Sequence, residues 1–594
     1  VPDPGAEYNS RIAKANEALQ RGERRHQAIA NSRLAAAAAI VVSLWLSLGR
    51  AALSPVWVIL AGTAFMALVV VHARVLRQNE RTRRARRVYE RGLDRLGGRW
   101  AGTGADGARF LDDHLYARDL DLFGRGSLFE LLTVAKTEAG EDALARWLKS
   151  PAGIEDIRAR QGAVAELSAK VDFREAVAVV ASEARVGRTS ALGRWAALAP
   201  VGFHPLARVV FPVTGVVTVA ALALAFASLV PASVAAAAIA ANAAVALRWR
   251  KQVKAVIDRI DAASDDLAIC RELLEIVEGS SFSAPWLAAV RARLRSADGW
   301  PSKRIARLER LVSLANHVQH NPFIRVVATP LLLDSQLAAA IDRWHEDEGR
   351  HLAGWIDAIG ELEAMSSLAT YAFEHPADPF PTVLPGGAIL EADGLAHPLL
   401  PEATAVRNDL RLGGAAPHFY LVSGSNMSGK STLLRAAGVN VVLALAGAPV
   451  RARRLALAPL AIGATVRVVD SLQEGYSRFY AEILRIKAIV DLMNGPTPVL
   501  FLLDEILHGT NSYDRRIGAE AIVRALVSGG AIGLVTTHDL ALTELAASLG
   551  ARAANVHFED QIADQRMVFD YRLRPGVVEH SNALALMRAI GIDV

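Results

Sequence analysis

The chain has a single cysteine, Cys270, in 594 residues. One thiol excludes a disulfide framework and a cysteine-based metal site within one chain. Its place in an amphipathic stretch makes it a small core residue. A strong charge of one sign is also missing. Lys+Arg total 66 against 61 Asp+Glu, a net +5 in which arginine outnumbers lysine. Over this length that balance is a weak pointer to nucleic acid or anionic lipid. What the sequence has in excess is apolar material, with 52% hydrophobic residues and a mean hydropathy of +0.24. One core cannot serve a chain this long, so about two to four domains are expected.

The apolar excess is concentrated in two places. Leu34 to Leu48 and Ala51 to Val71 are separated only by Gly49-Arg50. Val209 to Val230 and Ala232 to Leu247 are separated by Pro231. Each half approaches the about 17–25 residues that cross a bilayer, the first being short. A pair of buried helical hairpins in a soluble core is the alternative, but these runs are apolar on every face. Their flanks are basic: Arg21, Arg24, Arg25 and Arg33 precede the first, and seven arginines from Arg74 to Arg87 follow it. Arg194 and Arg208 precede the second, and Arg248, Arg250 and Lys251 follow it. Positive flanks on both sides predict two transmembrane hairpins in an inner (cytoplasmic) membrane, with both ends of each in the cytoplasm. A cleaved signal peptide fits poorly, because a second apolar run follows at once. The Arg74–Arg87 cluster could bind DNA, but beside a span a lipid-headgroup or topology role is more economical.

Between and after the hairpins the apolar spacing is helical. It covers Ser127 to Leu167, Val253–Val277, Trp286–Leu294, Ile305–Val318 and a long stretch from Leu337 to about Phe373. Nothing in this all-α region looks catalytic, and a plain scaffold is its simplest reading. The proline-rich stretch Pro376 to Pro385 marks a boundary. The expected organisation is a cytoplasmic segment 1–33, hairpin 34–73, helical core 88–200, hairpin 205–248, helical core and lever 251–375, and a nucleotide domain 385–594.

Phe419 to Ser423 reads as a strand. It leads into Gly424-Ser425-Asn426-Met427-Ser428-Gly429-Lys430-Ser431-Thr432 and then an apolar helix from Leu433 to Leu445. Strand, Gly-x-x-x-x-Gly-Lys-Ser, helix is the context a phosphate loop needs. Glycines let backbone N–H groups wrap phosphate oxygens, and the helix N-terminus adds partial positive charge. Lys430 would reach the β- and γ-phosphates of ATP, and the Ser431 hydroxyl would hold Mg²⁺. A second strand, Pro498 to Leu503, ends at Asp504-Glu505. Such a pair alone is usually a solvated strand end. After a phosphate loop, Asp504 is expected to hold Mg²⁺ and Glu505 to orient or deprotonate the attacking water. A third strand, Ala531 to Thr537, ends at His538. On its own a strand-end histidine is more often structural. On the same carboxyl edge as Glu505 it could sense the γ-phosphate or polarise the water.

Together these segments resemble the ATPase domain of the MutS family, the mismatch-repair ATPases and their relatives. Gly424 to Thr432 is similar to that family's Gly-Pro-Asn-Met-Gly-Gly-Lys-Ser-Thr, including the uncommon Asn-Met, with Ser428 in place of a glycine. Asp504-Glu-Ile-Leu-His-Gly-Thr-Asn511 resembles its Asp-Glu-Ile-Gly-Arg-Gly-Thr-Ser, and Thr536-Thr-His538 its Thr-His switch. Asp470 to Phe479 looks like the loop that completes a partner's ATP site, which implies a role for Ser477 across a homodimer interface. Asn555-Val-His557 and Tyr571 to Gly576 also match, with Tyr571 where the family often has an aromatic near adenine. Weaker similarity covers Ser127 to Ile154 and Gly394-Leu-Ala-His-Pro398. Ala405-Val406 stands where an aromatic against the adenine is common, so base selectivity is less defined.

The resemblance implies an ABC-type α/β P-loop ATPase domain at the C-terminus, using ATP and Mg²⁺. An all-α core and lever region carrying the two transmembrane hairpins would precede it. No mismatch-reading domain and no Phe-x-Glu wedge is seen upstream, and the lever helices leave little room for a DNA clamp. The leading expectation is a membrane-anchored, dimeric MutS-like ATPase that moves helical levers. The alternatives are a membrane-tethered DNA-binding repair factor and an ATP-driven transporter. Spans without intramembrane charges give the transporter little support.

Overall fold

The computed structural model describes residues 3–49, 53–183, 190–295, 299–425, 427–466, 478–507, 510–538, 542–563 and 566–578. Asn426, Ser477, and the His508-Gly509 part of the Asp504–Asn511 motif lie outside the described residues. In chain order the helices before the sheets are α1 (Pro4–Leu44), α2 (Val56–Leu96), α3 (Leu128–Leu132), α4 (Glu138–Lys149), α5 (Ile154–Ala169), α6 (Val171–Ala181) and α7 (Ser190–Ala197). Then come α8 (Ala207–Phe226), α9 (Ala232–Asp261), α10 (Ser264–Gly279), α11 (Pro285–Leu294), α12 (Pro301–His320), α13 (Pro322–Ala328) and α14 (Leu333–Glu374).

The chain forms two compact units, Val1–Arg99 with Val171–Arg185, and Trp100–Lys170 with Val186–Val594. In the first, α1 and α2 are each 41 residues long, about 60 Å at ~1.5 Å per residue. They run antiparallel, with Arg86 bonded to Asn16 at 3.3 Å and His72 to His26 at 2.8 Å. Only the end nearest the connection is bare apolar surface: Val41 is 67% exposed and Ile59 65%. Farther out, the arginine cluster is partly neutralised, Arg84 meeting Glu183 at 2.5 Å and Arg86 meeting Glu90 at 3.1 Å.

In the second unit, α8 and α9 form the other apolar pair, again facing outward, with Val216 62% and Phe226 93% exposed. Among the described residues, α1, α2, α8 and α9 are long and apolar enough to cross a membrane by length and composition. The helical spacing over Val253–Val277 is carried by two helices. The break falls at Ala262-Ala263, between α9 ending at Asp261 and α10 starting with Asp265 and Asp266 in its first turn. Asp265 and Asp266 are favourable in a first turn and so favour a fresh helix start at Ser264, whereas Asp261 sits at the less favourable C-terminus of α9.

The 42-residue α14 is the spine of this unit. It crosses the start of α4 at glycines: a Cβ on Gly360 would lie 2.5 Å from the Ala139 carbonyl oxygen, and one on Gly140 2.8 Å from the Glu363 Cβ. The buried Glu363 carboxylate accepts from the Lys136 N–H at 2.9 Å and from the Thr137 hydroxyl. It thereby satisfies donors at the head of α4, whose own cap is Thr137.

Two sheets follow. The smaller holds β1 (Thr382–Val383), β2 (Ile389–Leu395), β3 (Asn408–Gly413) and a later strand, β5 (Arg454–Leu457), in the order β1-β5-β2-β3. The larger contains β4 (Phe419–Ser423), β6 (Ala461–Thr465), β7 (Val499–Leu503), β8 (Ile532–Thr537), β9 (Ala553–Ala563) and β10 (Arg566–Pro575), in the order β10-β9-β4-β8-β7-β6. Only β10 is antiparallel to its neighbour. The strands β7 and β8 are buried at every position, as parallel strands covered on both faces must be. On one face lies α15 (Lys430–Ala446), whose Gly438 lets it approach Leu120 and Leu502. On the other, α16 (Arg478–Asp491), α17 (Ser512–Ser528) and α18 (Thr543–Ser548) supply Ile486, Ile489, Val523, Leu526 and Leu545 to a core with Phe419 and Phe501.

Candidate nucleotide site

Strand register places the candidate residues together. Ser423 of β4 is level with Thr537 of β8 and His557 of β9, and Leu503 of β7 is level with Thr465 of β6. The loops leaving these ends, at Gly424, Asp504, His538 and Val466, therefore emerge along one carboxyl edge of a parallel sheet. Ligands bind at such edges in open α/β folds.

The phosphate loop turns at two left-handed glycines, Gly424 (φ 147°) and Gly429 (φ 107°), with Met427 also left-handed at φ 68°. Lys430 opens α15 and is buried. Its ammonium donates to the Gly424 and Ser425 carbonyls at 2.8 and 2.7 Å. Burial pulls the Lys430 pKa below its ordinary value, while Glu505 and Asp504 pull it back up. The Ser425 and Ser428 hydroxyls are buried with no hydrogen-bond partner among the described residues. Buried hydroxyls are rarely left so. Two such donors beside a lysine and a helix N-terminus are a donor set matched to anionic oxygens. Ser431 is half-buried and Thr432 exposed in the first turn of α15.

Across the edge, Thr536 brackets the carboxylate pair. Its hydroxyl donates to Asp504 and accepts from the Glu505 N–H at 2.9 Å. The Asp504 N–H donates to the Thr465 carbonyl at 2.9 Å, and the Leu507 N–H to Glu482 at 2.5 Å. Glu505 and Leu507 are left-handed at φ 50° and 57°. Non-glycine residues in that region cost of order 1–3 kcal/mol each and persist where the surroundings fix them. His538 Nε2 meets the Glu505 carboxylate directly. Tyr571, also left-handed at φ 56°, lies against the loop: a Cβ on Gly429 would be 3.2 Å from its ring Cδ1. Asn408 fixes it by donating to the Tyr571 carbonyl at 3.0 Å and accepting from the Leu573 N–H at 2.8 Å.

The structure thus brings Gly424, Ser425, Met427, Ser428, Gly429, Lys430, Ser431, Thr432, Asp504, Glu505, His538 and Tyr571 to one edge. Sequence reading gave no individual role to Thr536, Glu482 or Asp119. Asp119, 1% exposed, accepts from the Val466 N–H at 2.6 Å and from Arg485 at 2.7 Å. It braces the helical region against the end of β6. Asp119 stands between Arg118 and Asp121, so no local feature of the sequence set it apart from its charged neighbours.

A phosphate loop, a strand-end Asp-Glu pair and a neighbouring histidine on a parallel sheet define a P-loop ATPase. Residues 420–593 match the family model "MutS domain V". The chain is similar to the DNA mismatch repair protein MutS of Natronomonas pharaonis, 33% identical over 40% of this chain and 27% of that protein. It is 28% identical to that of Methanosarcina acetivorans over 54% of this chain and 34% of that protein. The Aquifex pyrophilus protein is 33% identical over 39% and 27%. The chain therefore spans 27–34% of the length of these curated relatives. Its C-terminal domain is a MutS-family ATPase domain, an ABC-type ATPase that binds ATP, and a largely helical region precedes it.

Proposed function

We propose that the chain is a membrane-anchored, MutS-like ATPase in which two copies complete each other's ATP site and hydrolysis moves the helical levers. The observation that carries this reading is the single helix α14. It runs from the neighbourhood of the apolar pair α8–α9 to the nucleotide domain without interruption.

In this reading Gly424 to Thr432, Asn426 included, cradle the phosphates, and Lys430 leaves its loop carbonyls for the β- and γ-phosphate oxygens. The Ser431 hydroxyl and the Asp504 carboxylate are hard oxygen donors suited to Mg²⁺. A bound Mg²⁺ supplies charge neutralisation across the phosphates. Thr536 keeps Asp504 and Glu505 in fixed relation. Glu505 takes the proton of the attacking water, and His538 orients the Glu505 carboxylate or meets the γ-phosphate. Tyr571 offers an aromatic face at the mouth of the loop, and Ser477 acts in the partner's site. The four apolar helices anchor the chain in the cytoplasmic membrane with the ATPase domain in the cytoplasm. Their outward apolar faces are far larger than soluble surfaces tolerate.

The relatives are named for DNA mismatch repair, so tethered DNA binding is the competing reading. The chain in lipid nanodiscs, titrated with perfect, mismatched and branched duplexes at low salt, separates the two. Phosphate contacts are strongest at low salt. ATPase activity without duplex binding is expected. Tight, salt-sensitive binding would transfer the assignment to a DNA-directed role.

A further inference from the structure

The α13–α14 connection is seated inside the α8–α9 hairpin. Asn242 of α9, 5% exposed, donates to the Pro330 carbonyl at 2.6 Å and to the Thr218 hydroxyl of α8 at 3.1 Å. On α8, Gly215 meets the backbone of Leu331: a Cβ there would lie 2.6 Å from its carbonyl oxygen. Gly215 is seven positions beyond Arg208, and Asn242 six before Arg248. At ~1.5 Å per residue both helices put the seat about 9–11 Å inside the charged ends. That is about a third of a hydrocarbon core of ~30 Å.

Around this seat the side chains are apolar and uncovered. Phe323 is 84%, Val326 74% and Val327 66% exposed on α13, while Ala328 is buried. Asn321 caps α13, accepting from the Phe323 N–H at 3.0 Å, and the chain turns into α14 through an 86° bend with Leu332 left-handed at φ 52°. Arg325 is the one charged residue from Asn321 to Leu333, and its length lets it reach the headgroup level. Asp334 turns one carboxylate oxygen into the protein. Charge resumes farther up: Arg208, Arg304, Arg307 and Arg343 line a cavity of about 410 Å³. Arg343 lies ten positions beyond Leu333, about 15 Å along α14.

We propose that residues 321–333 form a re-entrant wedge that enters the bilayer beside α8–α9, with lipid acyl chains covering Phe323, Val326 and Val327. The proposal rests on the membrane reading of that hairpin. It makes the foot of α14 a fulcrum held in lipid, so a lever motion of α14 turns about a point inside the membrane.

The test uses the full chain in vesicles with an environment-sensitive fluorophore on Val326→Cys, on Val216→Cys in α8, or on Ala289→Cys in α11. Cys270 stays in place: it is buried, and burial pushes its thiol up to about 12, so labelling goes to the introduced cysteine. Brominated acyl chains should quench the probes at 326 and 216 and leave the one at 289 unaffected, with aqueous iodide giving the reverse. Quenching at 216 by lipid but at 326 by iodide overturns the wedge and leaves the anchor standing. Iodide quenching at both positions overturns the anchor and the wedge together.

Discussion

Replacing Thr536 by valine keeps the volume and β-branching of a side chain that is fully buried. It removes only a hydroxyl that holds Asp504 and Glu505 in register. The donated bond runs to a carboxylate, a class contributing about 1.5–3 kcal/mol, and the Glu505 N–H left unpaired costs about 1–3 kcal/mol more. Part of that loss falls on stability. The rest appears as freedom of Glu505, whose left-handed backbone at φ 50° needs an external tether. If about 2–3 kcal/mol of the loss is felt in positioning, steady-state hydrolysis falls roughly 30- to 150-fold. Nucleotide binding should change little, because Lys430 and the loop are untouched. The assay is ATP turnover alongside binding of a fluorescent ATP analogue and a melting curve. Thr536→Ser, which restores the hydroxyl, should recover most of the rate. Turnover by Thr536→Val within twofold of the parent would refute the bracket.

Lys430 predicts an early alkaline limit on ATP affinity. Burial lowers its pKa in the free protein, so the folded chain gives up this proton before an ordinary lysine of pKa about 10.4 would. On the stability side, the folded state gains relative to the unfolded as pH rises through that window. ATP affinity moves the opposite way, because the phosphates need the ammonium. An affinity that stays flat to about pH 10 contradicts this. Gly360→Val drives a Cβ to 2.5 Å from the Ala139 carbonyl, and the forced separation of α14 from α4 should cost about 1–3 kcal/mol or more. An unchanged melting temperature would show that the crossing is not tight.

The parts of the site that are local in sequence were legible. A strand, loop and helix follow one another within a few residues around Gly424 to Thr432, and Asp504-Glu505 and His538 each sit at a strand end marked by its apolar run. The shared carboxyl edge of Glu505 and His538 was legible too, from their places at strand ends, whereas the strand order β4-β8-β7 and its register come only from the structure. Thr536, Glu482 and Asp119 were not legible in their roles, because each acts on a backbone group far away in sequence, 347 positions for Asp119 and Val466. The break at Ala262-Ala263 is not legible from apolar periodicity, which continues across it, and only Asp265 and Asp266 mark the start of α10. The wedge was invisible for another reason: α13 has seven residues, too short for a span, and its meaning comes from its seat between Gly215 and Asn242.

The most direct test of the account is Glu505→Gln in nanodiscs, with particle mass measured before and after ATP. The account predicts that the variant binds ATP, hydrolyses it at least about 100-fold more slowly, and accumulates as an ATP-dependent dimer. A variant that binds ATP yet turns it over at the parent rate, with its mass unchanged, would contradict it.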